Sequence, residues 1–522
     1  MFILLTPVNF CAALSDSDEQ NELPPESVKT LGLWQMVYLG KGASLTRQLI
    51  HAIISIALRL FFRRIEAVNV ERVPPTGAII FVLNHPNGLV DPALVFVSLA
   101  RRVSFLAKST LYDNPFGAFL LRTFEILPIY RRIDADAKSE SNAVTFDNCF
   151  ELLRRGRCIA IFPEGISHDE PELQKIKTGA ARIALGTFSK IPDSEFQIPG
   201  SEAEMKGLGE SRKPQSEIWN LESESRNAPL KIVPVGLYYT SKTSFRSEVL
   251  IRYGDVFDVE PVALDEAGEP PRGAVYRLTE KIEKSLRDVT LNLKTETELG
   301  AILRAEALFS SVYENLIFKQ TLTQTVGRLQ SLAAKYKLLE ENDPQKMREL
   351  NEKITRYENN LKKSGITTES LSVLQHPTAY VFRYLILRVG LLILLSPLAV
   401  LGAVIHSPAY FFSNLLGRIF KTHDTDVAGS SSTIIAAIGL MPLTWLIVSV
   451  IMLYFFGWQV ALLSIPIVIS CGYIALRSSE TLIDMRVWIK AAWLLFRQRG
   501  LFLRLLVQRE NLQKEIGEVI EK

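Results

Sequence analysis

Residues 84–92 read Asn-His-Pro-Asn-Gly-Leu-Val-Asp-Pro and directly follow an apolar run at residues 78–83 that is typical of a buried strand. Pro92 fits the first position of a helix and Asp91 fits the N-cap before it, so we predict a helix over residues 92–102. His85 then lies on the loop at the carboxyl end of the strand, where open α/β sheets bind their ligands. The stretch therefore predicts an α/β fold with a functional site around His85.

The pairing of His85 with Asp91 suits the activation of a hydroxyl group. A histidine has an unperturbed pKa of about 6.5 and can take a hydroxyl proton near neutral pH. A carboxylate on the second imidazole nitrogen fixes the tautomer and stabilises the imidazolium that forms. The alternative is that Asp91 only caps the helix and that His85 is an incidental loop residue.

A second segment, residues 162–169, reads Phe-Pro-Glu-Gly-Ile-Ser-His-Asp and follows another apolar run. We predict that its loop opens on the same sheet edge as His85. A glycine, the Ser167 hydroxyl and backbone amides can hold a phosphate or an acceptor hydroxyl. Lys177 and Gly179 open the next helix and add a cation and helix N-terminal amides.

Four sequence blocks, taken in order, resemble those of the glycerolipid acyltransferases of phospholipid synthesis. His85 and Asp91 match block one, and residues 162–167 match block three nearly letter for letter. Residues 127–131, Leu-Pro-Ile-Tyr-Arg, resemble block two, and residues 233–236, Val-Pro-Val-Gly, resemble block four. The resemblance implies an α/β fold with a mostly parallel central sheet flanked by helices.

The resemblance also implies residue roles, with His85 and Asp91 as the catalytic pair. The loop after the second strand would position the acceptor, and cations would neutralise its phosphate. We expect no metal site and no cofactor other than acyl-CoA or acyl-ACP as a co-substrate. The expected substrate-binding residues are Lys108, Arg131, Glu164, Gly165, Ser167 and Lys177.

The spacing within block one points to a branch of the family. Five residues separate His85 from Asp91, whereas four are common in the family. The branch that acylates glycerol 3-phosphate and dihydroxyacetone phosphate also has five, and it extends block three to Ser-His-Asp followed by Lys-x-Gly, as residues 167–169 and 177–179 do here. The resemblance thus implies transfer of a fatty acyl group to the sn-1 hydroxyl of either acceptor.

Two other functions stay open. The same four blocks serve enzymes that acylate lysophosphatidic acid or another lysophospholipid. A non-catalytic, lipid-binding membrane scaffold is the second alternative, although the intact His85, Asp91 and Glu164 argue against it. At residue level, His168 and Asp169 either form a second acid–base element or order the loop before a helix that starts near Pro171.

The hydropathy of the chain indicates a membrane protein. Hydrophobic residues make up 48% of the chain, and the mean hydropathy is +0.14. No charged residue occurs from Val427 to Leu476, which is long enough for two spans with a turn near Gly457. A further uncharged run, Val389 to Gly417, contains two prolines and predicts one tilted span or a re-entrant hairpin. We therefore expect a C-terminal transmembrane helical region after a helical segment.

The charge pattern and the cysteine positions limit the classes of partner that the protein can bind. Basic residues flank the apolar runs, and the positive-inside tendency then places the catalytic domain on the cytoplasmic face. A net charge of +3 without a basic stripe argues against nucleic acid, and four scattered cysteines indicate neither zinc nor disulfides. The expected partners are the lipid bilayer, an acyl donor, and a glycerol phosphate or lysolipid acceptor.

These observations divide the chain into five parts. The acyltransferase domain is predicted to contain one long polar insertion, and the regions after it to be helical. The predicted parts are residues 1–44, N-terminal and partly disordered; 45–293, the acyltransferase domain with a disordered insertion at 190–227; 294–378, a helical hairpin; 379–478, transmembrane helices; and 479–522, a C-terminal amphipathic helix.

Overall fold

A computed structural model describes most of the chain outside the N-terminus and the long insertion. The predicted site residue Arg131 and the insertion at 190–227 lie outside the described residues. The described residues are 28–31, 45–88, 90–112, 121, 126–129, 139–187, 229–242, 244–266, 268–310, 321–365, 378–419 and 428–521.

A mixed β-sheet forms the centre of the molecule, and the predicted α/β fold is confirmed. Within the described residues the strand order is β1-β2-β8-β7-β3-β6-β4-β5, with β9 also paired to β7. Five of the eight pairings are parallel, and the antiparallel ones involve β1 and β7. The strands are β1 Val28–Thr30, β2 Arg64–Val68, β3 Ile79–Leu83, β4 Val103–Lys108, β5 Leu127–Ile129, β6 Cys158–Ile161, β7 Lys231–Tyr239, β8 Glu248–Tyr253 and β9 Phe257–Asp258.

Helices cover both faces of this sheet, and further helices follow the last strand in the chain. The helices are α1 Leu45–Phe61, α2 Val90–Ser98, α3 Ser139–Arg154, α4 Gly179–Gly186, α5 Arg272–Val289, α6 Glu296–Ser310, α7 Leu322–Asn342, α8 Pro344–Ser364, α9 Thr378–Ile419, α10 Ala428–Phe456, α11 Trp458–Arg497 and α12 Arg499–Glu521.

Strand β3 lies at the centre of two apolar cores. Its residues are all buried, as expected for a strand in a sheet that helices cover on both faces. Ile79, Phe81 and Leu83 pack with α1 and α2 on one face of the sheet. Ile80 and Val82 pack with α3, α4 and α5 on the other face. An apolar run without alternation therefore specified a central strand.

Three of the C-terminal helices are long and apolar enough to cross a membrane. The candidate spans are Leu385–Ile419 in α9, Ala436–Phe456 in α10 and Trp458–Ile483 in α11. Gly457 adopts a φ of 83° between α10 and α11, so the predicted turn at this position is confirmed. The remaining helices, α6, α7, α8 and α12, share a separate apolar core that includes Leu329, Tyr357 and Phe502.

Candidate active site

Three adjacent parallel strands place their carboxyl ends side by side. In the sheet, Val82 of β3 lies opposite Ile161 of β6, and Leu83 lies opposite Val235 of β7. The loops after β3 and β6 therefore meet at one edge, together with the end of β7. This arrangement confirms the prediction that the first and third blocks share a sheet edge.

His85 and Asp91 form a hydrogen-bonded pair at this edge. His85 Nδ1 lies 2.9 Å from Asp91 Oδ2, and the Asn87 backbone amide donates to the same oxygen at 2.7 Å. The Asp91 side chain is fully buried, whereas that of His85 is 17% exposed. Because Nδ1 faces Asp91, Nε2 is the nitrogen left to exchange a proton with a substrate.

The helix after this loop begins earlier than predicted. The amides of Val90 and Asp91 both donate to the Asn87 carbonyl, so α2 starts at Val90 and not at Pro92. Asp91 consequently lies in the first turn, and the prediction that it is the N-cap is wrong. Its carboxylate accepts from His85 Nδ1 and from the Asn87 amide, two groups that precede the helix.

Tyr239, the last residue of β7, donates its hydroxyl hydrogen to Asp91 Oδ1. Burial raises the pKa of the Asp91 carboxyl, and the hydrogen bonds from His85, Tyr239 and Asn87 act in the opposite direction. Burial and the neighbouring Asp91 raise the pKa of Tyr239 well above its ordinary value. Tyr239 therefore remains a protonated donor at any physiological pH.

The loop after β6 holds the backbone of His85 from both sides. The His85 amide donates to Glu164 Oε1 at 3.0 Å, and the His168 amide donates to the His85 carbonyl at 3.2 Å. The Phe162 ring stacks on the imidazole, with ring centroids 3.9 Å apart and planes inclined by 20°. These contacts leave the imidazole little freedom to rotate away from Asp91.

Glu164 is buried beside His85. Its side chain is fully buried, and its second oxygen accepts from the Gln174 amide at 2.8 Å and pairs with His168 Nε2. All of these partners belong to the protein, so this geometry gives Glu164 a role in holding His85. Its predicted contact with substrate stays a prediction.

His168 and Asp169 order the loops around the site. His168 pairs with Glu164, and Asp169 forms an ion pair with Lys242 at 2.7 Å. Lys242 also donates to the His168 carbonyl at 3.3 Å. These contacts fit the loop-ordering interpretation, but the helix predicted near Pro171 is absent from the described residues, where α4 begins at Gly179.

The remaining predicted loop residues surround Gly165. Gly165 has a φ of 69°, and a Cβ added there would lie 2.4 Å from Lys177 Nζ, so the lysine lies directly over this turn. Ser167 Oγ accepts from the Gly88 amide at 3.0 Å and so joins the two loops. The structure thus brings Gly165, Ser167 and Lys177 beside His85.

Lys108 lies at the same sheet edge but further along it. It ends β4, two strands away from β3, which corresponds to about 10 Å at the usual strand spacing. It is in register with Ile129, the last residue of β5. The predicted phosphate ligand Arg131 lies outside the described residues, so its role stays a prediction.

Sequence reasoning missed several residues that shape the site. Asn84 bonds to both the amide and the carbonyl of Leu237, and Asn87 donates to the Lys242 carbonyl at 3.3 Å. Tyr239 ends the strand that contains block four, and Lys242 follows it by three residues, so extending the analysis past that strand would have found both. Within the described residues, no group of histidine, cysteine and acidic side chains could hold a metal ion.

Two family matches cover most of the described fold. The acyltransferase domain family matches residues 64–196, which contain the site. The C-terminal domain family of glycerol-3-phosphate acyltransferase 2 matches residues 307–522. Both matches agree with the resemblance to the glycerolipid acyltransferases.

The relatives are similar to this chain at modest sequence identity. An uncharacterized acyltransferase of Schizosaccharomyces pombe is 22% identical, over 90% of this chain and 80% of that protein. Glycerol-3-phosphate O-acyltransferases 1 and 2 of Saccharomyces cerevisiae are each 24% identical, over 83% and 61% of this chain. The chain spans 65% and 39% of their lengths, less than two thirds of either. The crystal structure of the 1-acyl-sn-glycerophosphate acyltransferase PlsC from Thermotoga maritima is 16% identical, with a TM-score of 0.29 over 49% of this chain and 87% of that chain.

Proposed function

We propose that the protein is a membrane-bound O-acyltransferase of phospholipid biosynthesis. It transfers a fatty acyl group from acyl-CoA, acyl-ACP or an acyl phosphate to the sn-1 hydroxyl of glycerol 3-phosphate or dihydroxyacetone phosphate. The observation that carries the proposal is the contact between His85 Nδ1 and the buried carboxylate of Asp91 at 2.9 Å.

The pair acts as a general base during direct acyl transfer. His85 Nε2 takes the proton of the acceptor hydroxyl as its oxygen attacks the acyl carbonyl carbon. Asp91 stabilises the imidazolium, and Tyr239 and the Asn87 amide keep the carboxylate in place. Collapse of the tetrahedral intermediate breaks the bond to the leaving group, which takes the proton back from His85. No acyl-enzyme is needed.

Cations around the loops select a phosphorylated acceptor. Lys177 lies over the Gly165 turn, and Lys108 ends a nearby strand at the same edge. Both can form charge-assisted hydrogen bonds to a phosphate. We further propose that Arg131 adds a third cation, as the family resemblance implies. The acyl chain of the donor would be buried at the membrane face, at about 0.8 kcal/mol per buried methylene.

The relatives favour the first acylation step over the second. The C-terminal match is to a domain family of glycerol-3-phosphate acyltransferases, and two named relatives carry that activity in their names. The 1-acyl-sn-glycerol-3-phosphate acyltransferase of Borreliella burgdorferi is 29% identical but matches only 27% of this chain. Lysophosphatidic acid is therefore the second candidate acceptor.

The long apolar helices support an integral membrane location. We propose that the catalytic domain faces the cytoplasm. Arg486, Lys490, Arg497 and Arg499 follow the last candidate span within 16 residues, and cytoplasmic flanks are enriched in such cations. A cytoplasmic face would also give the site access to acyl-CoA or acyl-ACP.

Acyl transfer by the purified, detergent-solubilised protein tests the proposal. Each donor is offered with glycerol 3-phosphate, dihydroxyacetone phosphate and lysophosphatidic acid in parallel, with His85→Ala as the blank. Product from either small acceptor supports the proposal, and loss of product in the folded His85→Ala protein supports the base. Product only from lysophosphatidic acid moves the enzyme to the second step. A His85→Ala protein of near-normal activity overturns the mechanism.

A further inference from the structure

A cavity lies between helices of the C-terminal region, and its lining includes none of the residues around His85. It has a volume of about 580 Å³ and is lined by the last turns of α8, the last turns of α11 and the first turns of α12. Its lining combines amide and hydroxyl side chains with two cations and contains no carboxylate. The lining residues are Asn360, Lys363, Ser364, Trp493, Gln498, Leu501, Arg504, Leu505 and Gln508.

The cavity carries uncompensated positive charge. Lys363 and Arg504 line it from different helices, and both side chains are exposed. Lys490 adds a third cation at the rim. Its Nζ would lie 3.7 Å from a Cβ added at Gly365, the residue that follows Ser364 in the cavity lining. Across the described residues, no carboxylate pairs with any of these three cations. Their charges are therefore available to an anion.

The cavity lies beyond the carboxyl end of the last candidate span. The last candidate span ends at Ile483, and Trp493 follows ten residues later on the same continuous helix, about 15 Å along its axis. Trp493 is 56% exposed, and Ile489, one turn earlier, is 51% exposed. Exposed tryptophan beside lysine and arginine is typical of the interface between lipid headgroups and water.

We propose that this cavity binds the phosphate of an anionic bilayer lipid. Lys363 and Arg504 contact the phosphate oxygens, and Lys490 neutralises further charge from the rim. The amides of Asn360 and Gln508 lie 3.5 Å apart at one wall and can turn toward the headgroup. Leu501 and Trp493 contact the glycerol and the first methylenes of the acyl chains.

Two features favour a lipid over a free phosphate ion. The volume of about 580 Å³ far exceeds one phosphate group but suits a headgroup with its glycerol. The exposed apolar side chains of Ile489 and Trp493 on α11 also give the acyl chains a surface to follow. The site does not use the catalytic pair, so it stands independently of the proposed reaction.

Lipid binding by the full chain in a non-ionic detergent tests the proposal. The probes are dioleoyl phosphatidic acid and dioleoyl phosphatidylcholine, followed by native mass spectrometry and by the thermal unfolding midpoint. We expect phosphatidic acid to bind and to raise the midpoint, and phosphatidylcholine to bind much more weakly. Removing two charge-assisted contacts in the Lys363→Gln/Arg504→Gln variant should weaken phosphatidic acid binding by about tenfold or more.

The matched control is Lys346→Gln/Arg348→Gln, which removes two exposed cations from the first turns of the same helix α8. It should bind phosphatidic acid like the unchanged protein. The single variant Lys363→Gln replaces the double variant if the latter unfolds, and any binding at the active site is common to all variants. Equal binding in the cavity variant and the control overturns the site. Inorganic phosphate that binds as tightly as phosphatidic acid overturns the lipid as its ligand.

Discussion

The carboxyl group of Asp91 is buried in the centre of the candidate site, where it accepts hydrogen bonds from His85, Asn87 and Tyr239. Burial raises its pKa above that of the unfolded chain. Such a group contributes its full stability below its unfolded pKa of about 3.9 and loses that contribution as the pH rises through its folded pKa. The charged form of Asp91 therefore lowers the unfolding free energy relative to a neutral side chain.

Replacing Asp91 by Asn should separate stability from activity. The amide removes the buried charge at nearly the same volume, so we expect an unchanged or higher thermal midpoint at neutral pH. The imidazolium loses its counter-charge, so we expect activity to fall at least about 100-fold, in the direction of the corresponding change in serine proteases. Thermal unfolding and acyl transfer on one preparation check both effects. A large fall in the midpoint would mean that the charged pair stabilises the fold.

Tyr239 should set the pH dependence of the reaction through Asp91. In Tyr239→Phe the Asp91 carboxylate loses a donor that lowers its pKa, so the pKa of Asp91 rises further. We therefore expect the acid limb of the pH–rate profile to move to higher pH and the optimal rate to fall about 3- to 10-fold, as for the loss of one hydrogen bond. KM should change little, because Tyr239 is buried. An unchanged acid limb with a normal rate would show that Tyr239 contributes only to packing.

At the scale of elements, local patterns and long-range contacts differed in how well they could be predicted. The apolar run before His85 gave β3 to within one residue, because a fully buried strand is uniformly apolar. The start of α2 was missed by two residues, because the Asn87 carbonyl captures the amides of Val90 and Asp91. That bond depends on loop geometry, which spacing alone does not contain.

Contacts between distant elements had no local signal. Tyr239 reaches Asp91 from 148 positions further along the chain, and only the parallel pairing of β7 with β3 brings them together. The same holds for Lys242, whose ion pair with Asp169 crosses from the β7–β8 connection to the loop after β6. The pairing of His85 with Asp91 was thus predictable from a short motif, whereas the contacts that support the pair required the sheet topology.

Gly236 of block four should be needed for the packing of α5 on β7. A Cβ added there would lie 2.1 Å from the Val289 carbonyl oxygen at the end of α5. The backbone of Val289 would have to move to relieve this clash. We expect Gly236→Ala to lower the unfolding free energy by about 1–3 kcal/mol through overpacking. The control is Gly179→Ala, since an added Cβ meets nothing within 4 Å there. Equal thermal midpoints for the two variants would contradict the prediction.

At the scale of the whole molecule, the catalytic sheet and the apolar helices share specific contacts. Ile434 of α10 belongs to the core that α1 and α2 form with the sheet. Phe245, in the β7–β8 connection, packs edge-on against Tyr410 of α9 with ring centroids 6.0 Å apart. Through Lys242, the same connection contacts the loops around His85. The membrane region is therefore in contact with an element that also supports the active site.

Arg246 is the principal polar link between these regions. Its guanidinium pairs with Glu480 of α11 and donates to the carbonyls of Arg59, Leu60 and Phe62 at the end of α1. The Arg246 and Glu480 side chains are only 14% and 10% exposed. Removing one member of such a shielded pair leaves its partner poorly compensated, which makes the loss larger than at a surface pair.

Arg246→Gln should lower the thermal midpoint more than Glu480→Gln, because the arginine also caps α1 whereas Glu480 keeps a second partner in Arg477 at 2.9 Å. The double variant should be less destabilised than the sum of the singles, with a coupling of about 1–3 kcal/mol. We also expect Arg246→Gln to reduce acyl transfer, since a loosened β7–β8 connection displaces Lys242. Arg287→Gln, which disrupts exposed ion pairs of α5, is the control and should alter neither property. Full activity in a destabilised Arg246→Gln protein would show that the link anchors the helices without acting on the catalytic loops.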